Sequence, residues 1–418
     1  MLCYVSKKTF RVKEKYKDIH MPMTDPLAPP APENLNFIDD ATAFADAVSR
    51  MRHEPLIAFD QEADSMFHFT EKVCLIQMAT PRAAFVIDPL AVGDLSSLAD
   101  VLSNPAIVKI LHGADYDIRS LYRDFGLTVE NLFDTELAAR FLGEPETGLN
   151  ALVGKHFNVT LEKKYQKKDW SVRPLSTEMI AYAADDVRYL IPLYHLLRAR
   201  LEGKNRLDWV MEECDDLSMV RYGPEADQPL FLRIKGAGRL EPQSLAVLEA
   251  LLAYRLQIAR QKDRPPFKII GNEPLLDIAR TKPENLAALE NTRILSDRQR
   301  HMYGKQIMAA VQSALSIPSG DLPHYPRKSH AAGNGMVLEK FDRLKHWRTK
   351  KAEHLGMDPG VLIPNAALKA VAESHQGDAI TPDALPGLKN WQKTAFGAEI
   401  IAALDSMDKK NGGKKNPV

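Results

Sequence analysis

The sequence predicts an α/β domain, a mixed sheet flanked by helices, followed by two all-α helical modules. Three observations carry this expectation. Short apolar segments joined by short connections crowd residues 56–87, and apolar segments then alternate with helical stretches to about residue 200. Strand signals stop near residue 206. Beyond that point two helical stretches repeat one another at a constant offset of 93 residues. A chain of 418 residues is too long for one ordinary core, and its 45% hydrophobic and 26% charged residues give a globular balance.

Taken in order, residues 1–33 read as a tail, because a basic start runs into Pro22, Pro26, Pro29, Pro30 and Pro32. A start codon placed too early gives the same pattern. Asp39 to Met51 reads as a helix with Asp40 as its N-cap. Leu56–Asp60, Val73–Ala79 and Ala84–Ile87 read as strands, each apolar and bounded by charge or proline, and their short connections favour antiparallel pairing. Ser97–Leu102 reads as helix, Ile107–Leu111 as strand, and Ile118–Phe125 and Thr135–Phe141 as helices around the short apolar Leu132–Phe133. A long amphipathic helix is expected from Thr177 to Leu201, capped by Ser176.

These elements set the expected boundaries: the α/β domain at 34–203, a connecting helix and linker at 204–236, a first helical module at 237–317, a linker at 318–336, a second module at 337–407 and a basic tail at 408–418. In the repeat, Tyr254-Arg255 aligns with Trp347-Arg348, Ile270 with Ile363, Asn272 with Asn365, and Tyr303-Gly304 with Phe396-Gly397. Asn272 and Asn365 read as helix caps.

Three cysteines without a CxxC pair argue for a reducing compartment and against a structural zinc. The basic N-terminus lacks the apolar segment of a secretory signal, and no stretch is long enough to span a bilayer. Cytoplasm is the expected location, with no membrane association and no obligate protein partner. The formal net charge is zero, which counts against a nucleic-acid partner until the charge is mapped. Residues 155–173 hold six Lys/Arg against two Asp/Glu, and residues 233–268 hold eight against three. Each cluster reads either as a solvated face or as a phosphate-binding surface.

Chemistry concentrates in three acidic segments. Asp60 and Glu62 stand two apart at the end of the apolar run Leu56–Phe59, so a strand puts both carboxylates on one face. Side by side they repel, unless a cation lies between them. The bland alternative is a solvated strand end. Asp117 follows the Ile107–Leu111 strand, with Asp115 competing for its role and N-capping as the alternative for both. Tyr182 and Asp186 stand four apart on one helix face, continued by Leu190, Leu193 and Leu197. An aspartate on so apolar a face needs a partner. Asp185 lies one step round, where Arg188 can pair with it. Four carboxylates and a phenol suit two hard divalent cations beside a phosphodiester.

Asp60-x-Glu62, then Tyr116-Asp117, then Tyr182-x-x-x-Asp186 resemble the three motifs of the DEDD exonucleases, in the subgroup with tyrosine in the third motif. Glu71-Lys-Val-Cys-Leu-Ile-Gln77, Asp134-Thr135 and Gln166-Lys-Lys-Asp169-Trp170-Ser-Val-Arg173-Pro174-Leu175 resemble the ribonuclease D family, and the resemblance covers residues 34–200. The repeat resembles two HRDC modules in tandem. Gln61 departs from the threonine commoner between the first two carboxylates. Gly360 departs from Phe267 of the first module, which puts RNA binding by the second module in doubt.

The resemblance implies a ribonuclease H-like fold and 3′-5′ exoribonuclease activity. It also implies two Mg²⁺ or Mn²⁺ ions held by Asp60, Glu62, Asp117 and Asp186, with Asp60 bridging both and Tyr182 orienting or deprotonating the attacking water. Nucleoside 5′-monophosphates would leave from RNA with a single-stranded 3′ end, transfer RNA precursors being the family's usual substrate. Lys163, Lys164, Lys167 and Lys168 are candidates to track the phosphates. Arg255, Arg260, Lys262 and Lys268, flanking Tyr254 and Phe267, form a candidate single-strand platform, with core aromatics and solvated cations as the alternative. Trp170 reads as a core aromatic and Arg173 as fixing the approach to the third-motif helix. Two other functions fit the same residues: a 3′-5′ exonuclease on single-stranded DNA, and a catalytically inactive RNA-binding relative.

Overall fold

The computed structural model describes residues 34–223, 228–326, 335–374 and 381–412. The expected N-terminal tail lies outside these residues, as does the middle of the 318–336 linker. The expected basic tail at 408–418 is helical to Gly412 and otherwise outside them.

Six strands form one mixed sheet: β1 (Leu35–Ile38), β2 (Leu56–Ala63), β3 (Val73–Ala79), β4 (Ala84–Ile87), β5 (Val108–Leu111) and β6 (Leu132–Asp134), in the order β1-β4-β3-β2-β5-β6. β2, β3 and β4 pair antiparallel, as their short connections require, while β1, β5 and β6 join in parallel. β1 escaped the sequence reading because four residues with one buried side chain carry almost no pattern. β2 is longer than expected. It continues through Asp60 and Glu62 to Ala63, so the carboxylate pair lies within the strand, and a bulge follows at Glu62/Ala63.

Helices cover both faces. The longer ones are α1 (Ala41–Met51), α2 (Asp115–Phe125), α3 (Thr135–Leu142), α4 (Leu149–Phe157), α5 (Thr177–Arg188), α6 (Leu190–Gly203) and α7 (Leu207–Ser218), with single turns at Pro89–Val92 and Ala99–Leu102. Asp40 caps α1 and Ser176 caps α5, as expected. The single long helix expected to Leu201 is two helices broken at Tyr189. Pro192 explains the break: it has no N–H to give, and its ring crowds the carbonyl four residues back, that of Arg188.

The first helical module contains α8 (Pro242–Gln261), α9 (Pro266–Ile269), α10 (Asn272–Thr281), α11 (Leu286–Thr292) and α12 (Asp297–Leu315). The second contains α13 (Gly335–Leu355), α14 (Pro359–Leu362), α15 (Asn365–Ser374) and α16 (Asn390–Gly412). The 93-residue offset survives as matched contacts. Arg255 donates to the Ile270 carbonyl and Arg348 to that of Ile363. Gln299 donates to the Ile269 carbonyl and Gln392 to that of Leu362. Tyr254 meets Tyr303 edge-on, and Trp347 meets Phe396 likewise.

The two modules dock differently. The first keeps its own core. The second shares a continuous core with the sheet domain. Trp391 stacks on Trp209 of α7 with centroids 4.8 Å apart and meets Phe141 edge-on at 5.4 Å. Lys389 pairs with Glu213 and Asp216, and Arg206 donates to the carbonyls of Phe141 and Leu355. Gly143, at φ +81, faces the Gly356 carbonyl so closely that a Cβ would lie 1.8 Å from its oxygen; only glycine allows that approach.

Candidate active site

β2 supplies Asp60 and Glu62 on one face, and the alternation sends Gln61 to the other. There Gln61 is buried and donates its amide to Ser120 of α2. The unusual residue between the two carboxylates is thus engaged in packing α2 against the sheet. Asp117 comes from the first turn of α2 and is buried. Tyr182 and Asp186 come from successive turns of α5, which lies across β2, β3 and β4. The candidates not chosen are engaged elsewhere: Asp115 pairs with Arg119 at 2.9 Å and Asp185 with Arg188 at 2.9 Å.

The candidate carboxyls act on one another electrostatically. Burial first, then the charges of Asp60, Asp186 and Asp117, push the Glu62 carboxyl up to about 9. Burial, then Asp60 and Asp185, push Asp186 to about 8. Burial raises Asp60 to about 6, against the lowering effect of a backbone hydrogen bond from Gln61. Asp117 lies well above the ordinary carboxylate range through burial and the charges of Asp60 and Asp134. The Tyr182 phenol is raised by burial, then by Asp186, Glu62 and Asp60. Among the described residues no three such side chains are placed close enough to hold an ion together. The donor set nevertheless fits a hard divalent cation: oxygen ligands only, four acids that cannot all ionise without added positive charge, and an edge of solvent at Asp60, Glu62 and Asp186.

Neighbouring side chains hold the parts in place. Tyr182 is packed between Trp170, stacked with centroids 6.1 Å apart, and Tyr165, edge-on at 5.5 Å. Trp170 is a core aromatic, as expected. Arg173 pairs with Asp88 and donates to the carbonyls of Cys74 and Trp170, which fixes the approach to α5.

The sequence reading gave Asp134 no role of its own. Its carboxylate accepts from the N–H groups of Gly113 and Ala114, just before α2, and from those of Glu136 and Leu137, where it caps α3. It thereby sets the turn that delivers Asp117. Gly113 sits in that turn at φ +71, and a Cβ there would lie 2.8 Å from Glu136 Oε2. An aspartate directly before a helix start was the available signal.

Of the expected nucleic-acid contacts, Lys163, Lys164, Lys167 and Lys168 are exposed on the loop before α5. Lys164 lies 4.8 Å from the Tyr165 ring centroid, so this loop leads directly to Tyr182. Arg260, Lys262 and Lys268 are exposed in the first module. Arg255 requires a correction. It is buried, and its guanidinium is occupied by the Ile270 carbonyl and the Asn272 side chain, so it is a strut of the module. Asn272 correspondingly accepts from Arg255, and Gly271 holds the N-cap position of α10.

The first module meets the α/β domain at residues 64–72, the segment that follows Glu62. His68 Nδ1 donates to Asp263 at 2.7 Å while its Nε2 lies 3.1 Å from Ser171 Oγ, and the Phe69 N–H donates to Asp263. Arg260 lies over Phe69 and Lys268 over Phe67. No periodic pattern marked this segment.

Residues 35–202 match a family model described as 3′-5′ exonuclease, and residues 244–311 and 338–404 each match the HRDC domain. Ribonuclease D of Pseudomonas paraeruginosa is 31% identical over 385 residues, covering 90% of this chain and 99% of that protein. Ribonuclease D of Gluconacetobacter diazotrophicus is 32% identical over 382 residues, covering 90% and 93%. The chain belongs to the ribonuclease D family. The solved Escherichia coli RNase D, described as an exoribonuclease involved in structured RNA processing, matches with a TM-score of 0.69 and 27% identity, covering 89% of this chain and 99% of that one. The catalytic core of RRP6 from Trypanosoma brucei matches with a TM-score of 0.60 and 29% identity, covering 71% and 85%. As a member of that family, the protein is a 3′-5′ exoribonuclease with RNA as its substrate class. No helix among the described residues is long and apolar enough to cross a membrane.

Proposed function

We propose that Asp60, Glu62, Asp117 and Asp186 hold two Mg²⁺ or Mn²⁺ ions at the 3′-terminal phosphodiester of RNA, and that Tyr182 positions the attacking water. The observation that carries this reading is the mutual electrostatic strain of the four carboxyls, each raised by burial and three of them by one another. When bound, two such ions supply the positive charge that stabilises the attacking and leaving oxygens together.

The rest falls to the chain itself. Asp117 and Asp186 are supplied by two different helices to the Asp60 and Glu62 pair on the strand. Tyr182 stands beside Asp186 and Glu62, where its hydroxyl is placed to orient or deprotonate the attacking water. Trp170 and Tyr165 fix the ring so that the hydroxyl has one direction.

Lys163, Lys164, Lys167 and Lys168 from one side, and Arg260, Lys262 and Lys268 from the other, provide cations along the approach. Exposed Phe267 and Met66 add surface on which bases can stack. This favours a single-stranded 3′ end entering between the lysine loop and the first helical module, with transfer RNA precursors as the substrate that fits a structured body with such a tail. An end-labelled RNA assay with Mg²⁺ tests it. Asp60→Asn should abolish stepwise 3′ trimming, a 3′-blocked RNA should resist, and a matched DNA strand should be degraded more slowly. Rapid internal cleavage of the blocked RNA, or an Asp60→Asn protein as fast as wild type, refutes the reading.

A further inference from the structure

Gln77 lies in the middle of β3 with none of its surface exposed. Its direct partner across the antiparallel ladder is Asp60. Directly paired residues project from the same face of a sheet with their Cβ atoms about 4.5–5.5 Å apart. The Gln77 side chain therefore stands beside Asp60, on the face that also carries Glu62 and lies under α5. Among the described residues it is the one buried side chain with both polar atoms, amide nitrogen and amide oxygen, lacking a hydrogen-bond partner.

A buried amide with neither end satisfied is costly, and in folded proteins it calls for an explanation. Packing does not supply one. On its face Gln77 is flanked along the strand by Leu75 and Ala79 and pairs across the next ladder with Val86, so an aliphatic side chain suits this position better. Chemistry does. A group beside Asp60 that donates a hydrogen bond without carrying charge must be an amide or a hydroxyl. A carboxylate would add a fifth acid to the site, and a lysine would bring a cation in competition with the bound ions.

We propose that Gln77 is a positioning residue for Asp60: its amide N–H, which has no partner in the structure, would donate to the Asp60 carboxylate once bound ions hold that carboxylate ionised, and would orient it toward them. Donors of this kind orient a ligating carboxylate, and their loss weakens metal affinity by about 10–100-fold. The proposal rests on the metal-site reading above, and the test separates the two.

Full-length wild type, Gln77→Met and Gln77→Leu are titrated with Mn²⁺ by calorimetry in the absence of RNA, and their thermal unfolding and RNA trimming are compared. Both variants remove an unsatisfied amide in favour of an apolar side chain of similar size, so both should unfold at or above the wild-type temperature without metal. Mn²⁺ affinity should fall about tenfold or more. At saturating RNA kcat should fall in step, with KM within about twofold, because Gln77 touches no substrate. Folded variants that match wild type within about twofold in Mn²⁺ affinity and in kcat overturn the proposal while leaving the metal site standing. A wild-type protein that takes up no Mn²⁺ overturns the metal reading itself. Use of both variants covers the case in which one of them packs poorly.

Discussion

Glu62→Gln should stabilise the metal-free protein while abolishing its activity, and the size of the effect follows from the site. The Glu62 carboxyl lies at about 9, against 4.5 ordinarily. A carboxyl raised in the folded state contributes stability that is fully present below the unfolded value and is lost as pH rises toward the folded one. At about pH 7.5 folded Glu62 still holds its proton, whereas the unfolded chain has released it. Roughly three pH units at 1.36 kcal/mol each give about 4 kcal/mol. Glu62 keeps an edge of solvent contact, and water there relieves part of the strain, leaving about 2–3 kcal/mol. Glutamine has no proton to lose. Metal-free Glu62→Gln should therefore be about 2–3 kcal/mol more stable than wild type at pH 7.5 and equal to it near pH 4.5, a gap of roughly 4–12 °C in apparent Tm. Unfolding scans in EDTA from about pH 4.5 to 9 read this difference directly. Added Mg²⁺ should raise the wild-type Tm, and more so at higher pH, because the ion competes with protons for the same oxygens. The variant should gain little. Parallel Tm–pH curves for the two metal-free proteins would refute the placement of Glu62 among the other acids.

Tyr182→Phe should lower kcat by roughly 10² while leaving Mn²⁺ affinity and Tm unchanged, since it removes one positioned donor and no ligand; stopped-time trimming with parallel calorimetry measures both. Asp263→Ala removes the acceptor of both His68 and the Phe69 N–H, and should raise KM for 3′-tailed RNA several-fold with little change for a dinucleotide. Paired Arg260→Ala and Lys268→Ala should weaken RNA binding and flatten its salt dependence by about two charges, read from binding curves at several salt concentrations. Trp391→Ala leaves a cavity between α7 and the second module, and should destabilise the protein by about 3–5 kcal/mol with RNA affinity within about twofold. Point variants suit these questions better than removal of everything after Gly203. Such a truncation also deletes α7, whose Cys214 accepts the Asp134 N–H at 3.3 Å.

The signals that mark the candidate site in the sequence are local. Asp60 and Glu62 share a face by strand period, and Tyr182 and Asp186 by helical period, so spacing alone assembled four of the five groups into two pairs. Asp117 was separable from Asp115 only by the motif, since the first turn of a helix tolerates an acid at either position. What stayed hidden was non-local. Whether an arginine points outward or inward is not written in its neighbours: Arg255 sits in a basic, aromatic segment and is buried because a carbonyl and an asparagine await it 15 and 17 residues away. Segment 64–72 gave no pattern because its partners lie some 195 residues on. The break at Tyr189, by contrast, was readable from Pro192 and went unread because the apolar stripe continued through it.

The repeat offset also explains how one module serves two purposes. In both copies the docking edge includes the same turn, the one joining the first long helix to the following single-turn helix. In the first copy that turn carries Arg260, Asp263, Phe267 and Lys268, and it grips residues 67–69 through ions and rings. At the same offset the second copy has Glu353, Gly356, Gly360 and Val361. There the Gly356 backbone lies against Gly143 and the Leu355 carbonyl accepts from Arg206. Polar contacts in the first copy are replaced in the second by backbone contact on a shared core. The struts inside each module, Arg255 and Arg348 with their matched carbonyls, stay unchanged. Differences at the docking turn, and Trp391 in the place of exposed Arg298, accompany the two modes of docking: the first module set against residues 67–69, the second sharing a core with the sheet domain.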